Sequence, residues 1–241
     1  SAPADSNADN TYDVQVTVSD GTTTVTQDVT INVTDVPDVL VTVDGNGNLT
    51  ISDIAVGGST NIITVTLDVV SNEYVVSATS AQLGDGINPS TNEIRIDAST
   101  VTGNLVADLA GGDDRLVVST LTITVIASGG DGNDTIAGGN GADQLSGDDG
   151  DDRIFAGGGA DQVSGGAGDD RLFGDSGFDV ISGGSGVDFI RGGVGNDNIS
   201  GGDGNDEIFG DNGIDVISGD GGNDSILGGN GYDTITGGDG N

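Results

Sequence analysis

The residues of this chain best equipped for chemistry are aspartates on a fixed spacing. Between Gly129 and Asn241 they stand at every ninth position: Asp134, Asp143, Asp152, Asp161, Asp170, Asp179, Asp188, Asp197, Asp206, Asp215, Asp224 and Asp233. Each is followed two residues later by Ile, Leu or Val. The rest of the composition narrows what such a row can do. There is no His, so the usual proton shuttle and zinc ligand are missing, and no Cys, so neither disulfides nor thiolate metal sites are available. Forty acidic residues face five Arg (Arg95, Arg115, Arg153, Arg171, Arg191), and the net charge of -35 repels nucleic acid and anionic membranes. Cations are the natural partners, and no catalytic residues are expected.

The aspartates belong to a nine-residue unit that begins Gly129-Gly130-Asp131-Gly132-Asn133-Asp134-Thr135-Ile136-Ala137 and runs without insertion for twelve copies plus a five-residue remnant. Position four is always Gly, from Gly132 to Gly240, and position two is Gly or Asp (Asp148, Asp175, Asp211, Asp220). Four small residues permit a tight turn with positive φ, and the residues around the aliphatic form a short strand. Two units make one coil of a solenoid, so residues 18 apart stack and the aspartates form two columns at strand spacing, roughly 4.8 Å. Carboxylates stacked that closely repel unless cations lie between them. A donor set of carboxylates and turn carbonyls suits Ca²⁺, which accepts six to eight oxygens in flexible geometry, better than Mg²⁺, which keeps its waters.

This pattern resembles the GGxGxDxUx nonapeptide of the RTX (repeats-in-toxin) calcium-binding proteins. The resemblance implies an all-β, right-handed parallel β-roll, a β-helix in which each ion sits between two stacked turns. It also implies the ligands: the Asp with the carbonyls of positions two and four of one turn, and the Asp with the carbonyls of positions one and three of the next. The carbonyl donors carried over at positions two and four are Gly130, Gly132, Gly139, Gly141, Asp148, Gly150, Gly157, Gly159, Gly166, Gly168, Asp175, Gly177, Gly184, Gly186, Gly193, Gly195, Gly202, Gly204, Asp211 and Gly213. Pairing each copy with the next but one gives ten complete sites, so about ten Ca²⁺ are expected. Residues 129–241 carry 22 Asp and one Glu against three Arg, a net -20 that ten such ions neutralise. With 36 Gly in this segment, folding and metal binding are expected to be one event.

Residues 39–128 alternate short β-type runs with Gly/Asn/Asp turns and read as wider, irregular coils that cap the roll. Within them Gly111-Gly112-Asp113-Asp114-Arg115-Leu116 is a shortened repeat; Asp114 either heads the metal column above Asp134 or belongs to a plain surface turn. Residues 1–38 read as a partial β-sandwich hairpin around Asp20-Gly21. The segments Tyr12 to Gly21 and Val29 to Val36 resemble the last two strands of bacterial cadherin-like or Ig-like modules, although Asp35-Val36-Pro37-Asp38 departs from the calcium-binding linker of such modules. A lone hairpin is marginal, so these strands are either part of a longer protein or donor strands for another chain.

Positions seven and nine should point outward. One sheet then carries a hydroxyl ladder (Ser146, Ser164, Ser182, Ser200, Ser218, Thr236), and the other gathers Phe155, Phe173, Phe189 and Phe209 with Arg153, Arg171 and Arg191. The aromatic face suggests self-association or docking to another cell-surface protein, against the plainer reading of a ladder that stabilises its own sheet. Sequons at Asn32, Asn48, Asn133, Asn198 and Asn223 are frequent by chance in such a composition, and the absence of Thr at position three disfavours ice binding. No run of 18 apolar residues predicts a membrane span. The expected role is a calcium-dependent structural or adhesive module (stalk, fibre or surface layer) of a secreted bacterial cell-surface protein that folds after export. The alternative is the C-terminal secretion and folding domain of a type I-secreted protease or lipase.

Overall fold

The computed structural model describes residues 11–19, 24–32, 39–53, 61–68, 73–80, 92–97, 102–119 and 121–240, with side chains described over 43–51, 102–119 and 121–240. Every regular element among them is a β-strand, and no helix is long and apolar enough to cross a membrane. Two ten-stranded sheets form a solenoid. Its repetitive part alternates between them: β10 (Val125–Asp131), β12 (Gln144–Asp149), β14 (Gln162–Ala167), β16 (Val180–Ser185), β18 (Asn198–Asp203), β20 (Val216–Gly221) and β22 (Thr234–Thr236) on one. β11 (Thr135–Gly139), β13 (Arg153–Gly159), β15 (Arg171–Gly177), β17 (Phe189–Val194), β19 (Glu207–Asn212) and β21 (Ser225–Leu227) lie on the other.

All neighbouring pairs within the repeats are parallel, and from β10 onward the register advances by eighteen residues, as in Leu145↔Val163↔Ile181 and Ile154↔Leu172↔Ile190. The period follows from alternation of side chains along a strand. Positions six, eight and one of the following unit point inward, so Asp, aliphatic and Gly line the interior while seven and nine face out. The core is accordingly two single-file aliphatic columns, Ile136 through Ile208 and Leu145 through Ile217, bounded at both ends of each strand by carboxylates. At the C-terminal end the columns lose their cover: Ile226 is partly buried and Ile235 is 48% exposed.

The lead-in differs from simple irregular coils. Strands β4 (Leu49–Asp53), β5 (Asn61–Asp68), β8 (Leu105–Asp108) and β9 (Arg115–Val118) do continue the parallel winding, β4 against β8 and β5 against β9. However, β3 (Val39–Val43) folds back antiparallel on β4, and β6 (Glu73–Ser80) and β7 (Asn92–Asp97) form an antiparallel meander on β5. Between β3 and β4 a short reversal explains this: the Asp44 carboxylate accepts the N–H groups of Asn46 and Asn48 at 2.8 and 3.0 Å, and Gly47 takes a φ of 79°, so the chain turns back within a few residues. The antiparallel strands lie outermost in both sheets and cover the parallel edges that the first coils would otherwise expose. Strands β1 (Thr11–Ser19) and β2 (Thr24–Asn32) form a separate antiparallel pair; the turn between them lies outside the described residues.

Candidate metal centre

Nearly every repeat turn is shaped by two left-handed positions, Gly141 being an exception at position four. Position two has φ between 66° and 119° in every copy, including the non-glycine residues Asp148, Asp175, Asp211 and Asp220. Position four is Gly, and a Cβ there would strike the carbonyl oxygen of the residue eighteen earlier: Gly132 O at Gly150, Gly150 O at Gly168, Gly177 O at Gly195. Its invariance therefore has both a conformational and a steric cause. The same close approach shows that the carbonyls of positions two and four face the next turn on that edge, as Asp148 O faces Gly166 and Gly184 O faces Gly202. From the other side, the position-one carbonyl points back, with Gly147 O 2.6 Å from where a Cβ of Gly129 would stand. Position-three carbonyls accept the N–H of position four in the preceding turn, for example Gly132 N to Asp149 O at 2.7 Å, which leaves each a second lone pair.

Between these opposed carbonyls run the aspartates. Ten of the twelve, Asp134 to Asp215, are no more than 2% exposed, and Asp224 and Asp233 are half-buried at the open end. One oxygen of each is used in a ladder: Asp134 N donates to Asp152 Oδ1 at 2.7 Å, Asp152 N to Asp170 Oδ1 at 2.8 Å, and Asp197 N to Asp215 Oδ1 at 2.8 Å. The other is not. Oδ2 of Asp134, Asp143, Asp152, Asp161, Asp170, Asp179, Asp188, Asp197, Asp206, Asp215 and Asp224 is buried with no hydrogen-bond partner. Burial, reinforced by neighbouring carboxylates and opposed by the ladder bonds, raises seven of these acids, to about 7 at Asp143, Asp152, Asp179 and Asp188 and to about 6 at Asp134, Asp170 and Asp197. A row of orphaned buried anionic oxygens is costly unless a cation completes it. Among the described residues no three acidic side chains converge on one point, so a cation here takes most of its donors from the main chain.

Sequence reasoning missed a second use of Asp at position two. Asp148 accepts hydroxyl hydrogen bonds from Ser146 (2.6 Å) and Ser128, and Asp220 from Ser218 (2.7 Å) and Ser200, which holds the Asp220 carboxyl below its ordinary range. On the other sheet Asp211 takes both the Nε and Nη2 groups of Arg191. These acids replace Gly in a left-handed site where a donor at position nine reaches them; the signal was the pairing of Asp with Ser or Arg two or twenty residues away. Asp114, left open by the sequence, is buried, and its N–H donates to Asp134 Oδ1 at 2.7 Å. On the outer face Phe155 and Phe173 stack at 4.9 Å, and Phe173, Phe189 and Phe209 continue the row at 5.8 and 5.6 Å, with the Arg153 guanidinium 5.7 Å from the Phe155 ring centre.

Residues 128–163, 146–181, 164–199, 182–217 and 218–241 each match the sequence model of the RTX calcium-binding nonapeptide repeat, so that the matches together run unbroken from 128 to 241. No curated protein matches the chain.

Proposed function

We propose, from the RTX calcium-binding repeats that make up residues 128–241, that this segment is a calcium-folded structural or adhesive module of an exported protein and has no catalytic role of its own. The observation that carries the reading is the unbroken row of buried Oδ2 atoms without partners, each flanked by main-chain carbonyls from two successive turns. The donor set fits calcium: oxygen only, rich in carbonyls, with room for variable geometry and no nitrogen or sulfur. The Asp of position six and the carbonyls of positions two and four would hold an ion from one turn, and the carbonyls of positions one and three with the next Asp would close it from below. Ten such ions neutralise the net -20 of residues 129–241.

Neutralisation supplies what hydrocarbon burial alone does not. One aliphatic per nine residues is a thin core for a segment so rich in glycine, and the charge that calcium removes is the largest force opposing the stacked turns. In a calcium-poor cytosol the segment would stay unfolded and fit for passage through a secretion channel, and in calcium-rich surroundings it would wind up. The stacked Phe row with its Arg neighbours supports a structural or adhesive role over a purely secretory one, because it offers a flat apolar and cationic face on an otherwise acidic roll.

Circular dichroism of the whole chain with calcium and with excess EDTA tests the calcium reading: a β spectrum that persists unchanged in EDTA at neutral pH would overturn it. The adhesive reading is tested separately. Replacing Phe155, Phe173 and Phe209 together by Ser should abolish calcium-dependent assembly seen by electron microscopy or light scattering. Assembly that survives in the calcium-folded variant removes the Phe face as the interface, and a calcium-folded wild type that does not assemble favours the secretion and folding domain of an exoenzyme.

A further inference from the structure

Residues Leu109–Val117 sit twenty residues ahead of Gly129–Ala137 and directly above them, in the place of a repeat of which they keep Gly112, Asp114 and Leu116 at positions four, six and eight but lack the glycines of positions one and two. Their main chain nevertheless behaves as one. Ala110 has a φ of 67° and Gly112 of 119°, the left-handed pair of positions two and four. The carbonyls of Ala110 and Gly112 lie where Cβ atoms on Gly130 and Gly132 would collide with them, as position-two and position-four carbonyls do along the whole roll. Asp131 N donates to Ala110 O at 2.9 Å, Gly112 N to Asp131 O at 2.7 Å and Thr135 N to Asp114 O at 2.8 Å, the same contacts that join Asp239 to Asp220, Gly222 to Asp239 and Arg153 to Asp134. Asp114 is 2% exposed. Beneath it, the Asp134 carboxylate spends Oδ1 on the Asp114 N–H at 2.7 Å and keeps a buried Oδ2 with no hydrogen-bond partner.

The opposite edge provides the contrast. The carbonyl of Ile123 closes on Gly141 in the same manner and Val125 N donates to Asp143 Oδ1 at 2.8 Å, but Leu121 O stands 3.2 Å from where a Cβ of Gly139 would be, and neither Leu121 nor Ile123 is left-handed, so the backbone cradle is present there only in part. The residue in the place of the aspartate is Val125, fully buried and without an oxygen.

We propose that the turn Leu109–Asp114, which lies outside the matched repeats, and the turn Gly129–Asp134 hold a further divalent cation of the calcium class between them, and that the turn ending at Val125 holds none. The metal column on the Asp134 edge then starts one turn earlier than the column on the Asp143 edge, and its first ion ties the lead-in to the roll. The inference rests on the calcium reading of the repeats themselves.

Native mass spectrometry of the full chain at saturating calcium counts the ions. Asp114→Ala should hold one ion fewer than the wild type while its circular dichroism in calcium is unchanged, and Val125→Asp should hold one more. If Asp114→Ala does not fold, the isosteric Asp114→Asn takes its place and the same loss is expected. A count unchanged by either substitution at Asp114 overturns this site while the repeats remain filled. A wild type that binds no calcium overturns the reading of the repeats instead.

Discussion

The lead-in and the repetitive roll share one winding but not one interior. In the lead-in, Leu49, Ile51, Leu105, Ala107, Leu109, Leu116, Val118, Leu121, Val125 and Ala127 are all buried, so hydrocarbon extends from strand to turn. In the roll the residue equivalent to Leu109 is Gly or Ala, and the residue equivalent to Val125 is Asp. Apart from the buried Asp114 at the junction, the same backbone path is thus filled with apolar side chains in one region and with carboxylates facing carbonyls in the other. A solenoid coil therefore does not need a metal in principle; it needs one where the corner of the core is anionic.

The largest effect that could break this contrast is calcium removal. Hydrogen exchange in EDTA at neutral pH should abolish protection across Gly129–Asp239, while amides within β8 and β9, around Leu105 and Leu116, keep measurable protection. Uniform loss across both regions would show that the lead-in has no stability of its own. Protection of both would show that the carboxylate row needs no cation.

Proton concentration probes the same difference without metal. Seven of the buried aspartates, among them Asp134, Asp143, Asp152 and Asp179, are raised from an ordinary value of 3.8 to about 6 or 7, chiefly by burial, so between those limits the metal-free fold binds more protons than the unfolded chain. That stabilisation is complete below about pH 4 and is lost as the pH climbs through 6 to 7. In EDTA the β signal of the roll should return at pH 4.5 and disappear at pH 7.5. Protons and calcium fill the same sites, so the calcium concentration at half-folding should fall as the pH drops from 7.5 towards 4.5, while the affinity of the folded roll for the ion weakens over the same range. A metal-free roll equally unfolded at both pH values would contradict the burial argument.

Core truncation sharpens the comparison at single residues. Leu116→Ala and Ile190→Ala each remove a fully buried aliphatic, and each should cost about 2–5 kcal/mol in calcium. Without calcium only Leu116→Ala should still be felt, as a further loss of protection in β9, because Ile190 then belongs to an unfolded segment. Thermal melts with and without EDTA separate the two.

How much of this was legible beforehand follows the same division. In the roll, a strict period forces register, so the aspartate columns, the inward aliphatics and the hydroxyl ladder from Ser146 to Ser218 stand where the spacing places them. The lead-in has no period, and the choice between a further coil and a reversal rests on local turns such as Asp44–Asn48, which composition alone does not rank. Asp114 shows the limit: its Asp-x-Leu spacing was visible, but burial depends on a two-residue longer coil whose register only the pairing of Arg115 with Thr135 reveals. Likewise Phe189 and Arg191 exchange positions relative to Arg171 and Phe173 in the coil before, and the ring row persists only because Phe189 reaches Phe173 and Phe209 across strands.

The smallest effect concerns the left-handed residues of the two regions, and it should differ in sign. Ala110 in the lead-in has a φ of 67° and a methyl side chain that can accept no hydrogen bond, so the strain of that conformation is not offset locally. Ala110→Gly should raise stability by about 1 kcal/mol, the relief of strain exceeding the entropy given to the unfolded chain. Asp220 in the roll has a nearly identical φ of 66°, but its carboxylate accepts the hydroxyls of Ser200 and Ser218. Asp220→Gly relieves the same strain and forfeits two hydrogen bonds to a charged group, each worth roughly 1.5 kcal/mol before solvent exposure reduces it. The net should be a loss of up to about 1 kcal/mol in calcium, and Ser200→Ala combined with Asp220→Gly should cost no more than Asp220→Gly alone. If both glycine substitutions stabilise to the same extent, the serine contacts contribute nothing and Asp at position two is a bystander in the roll.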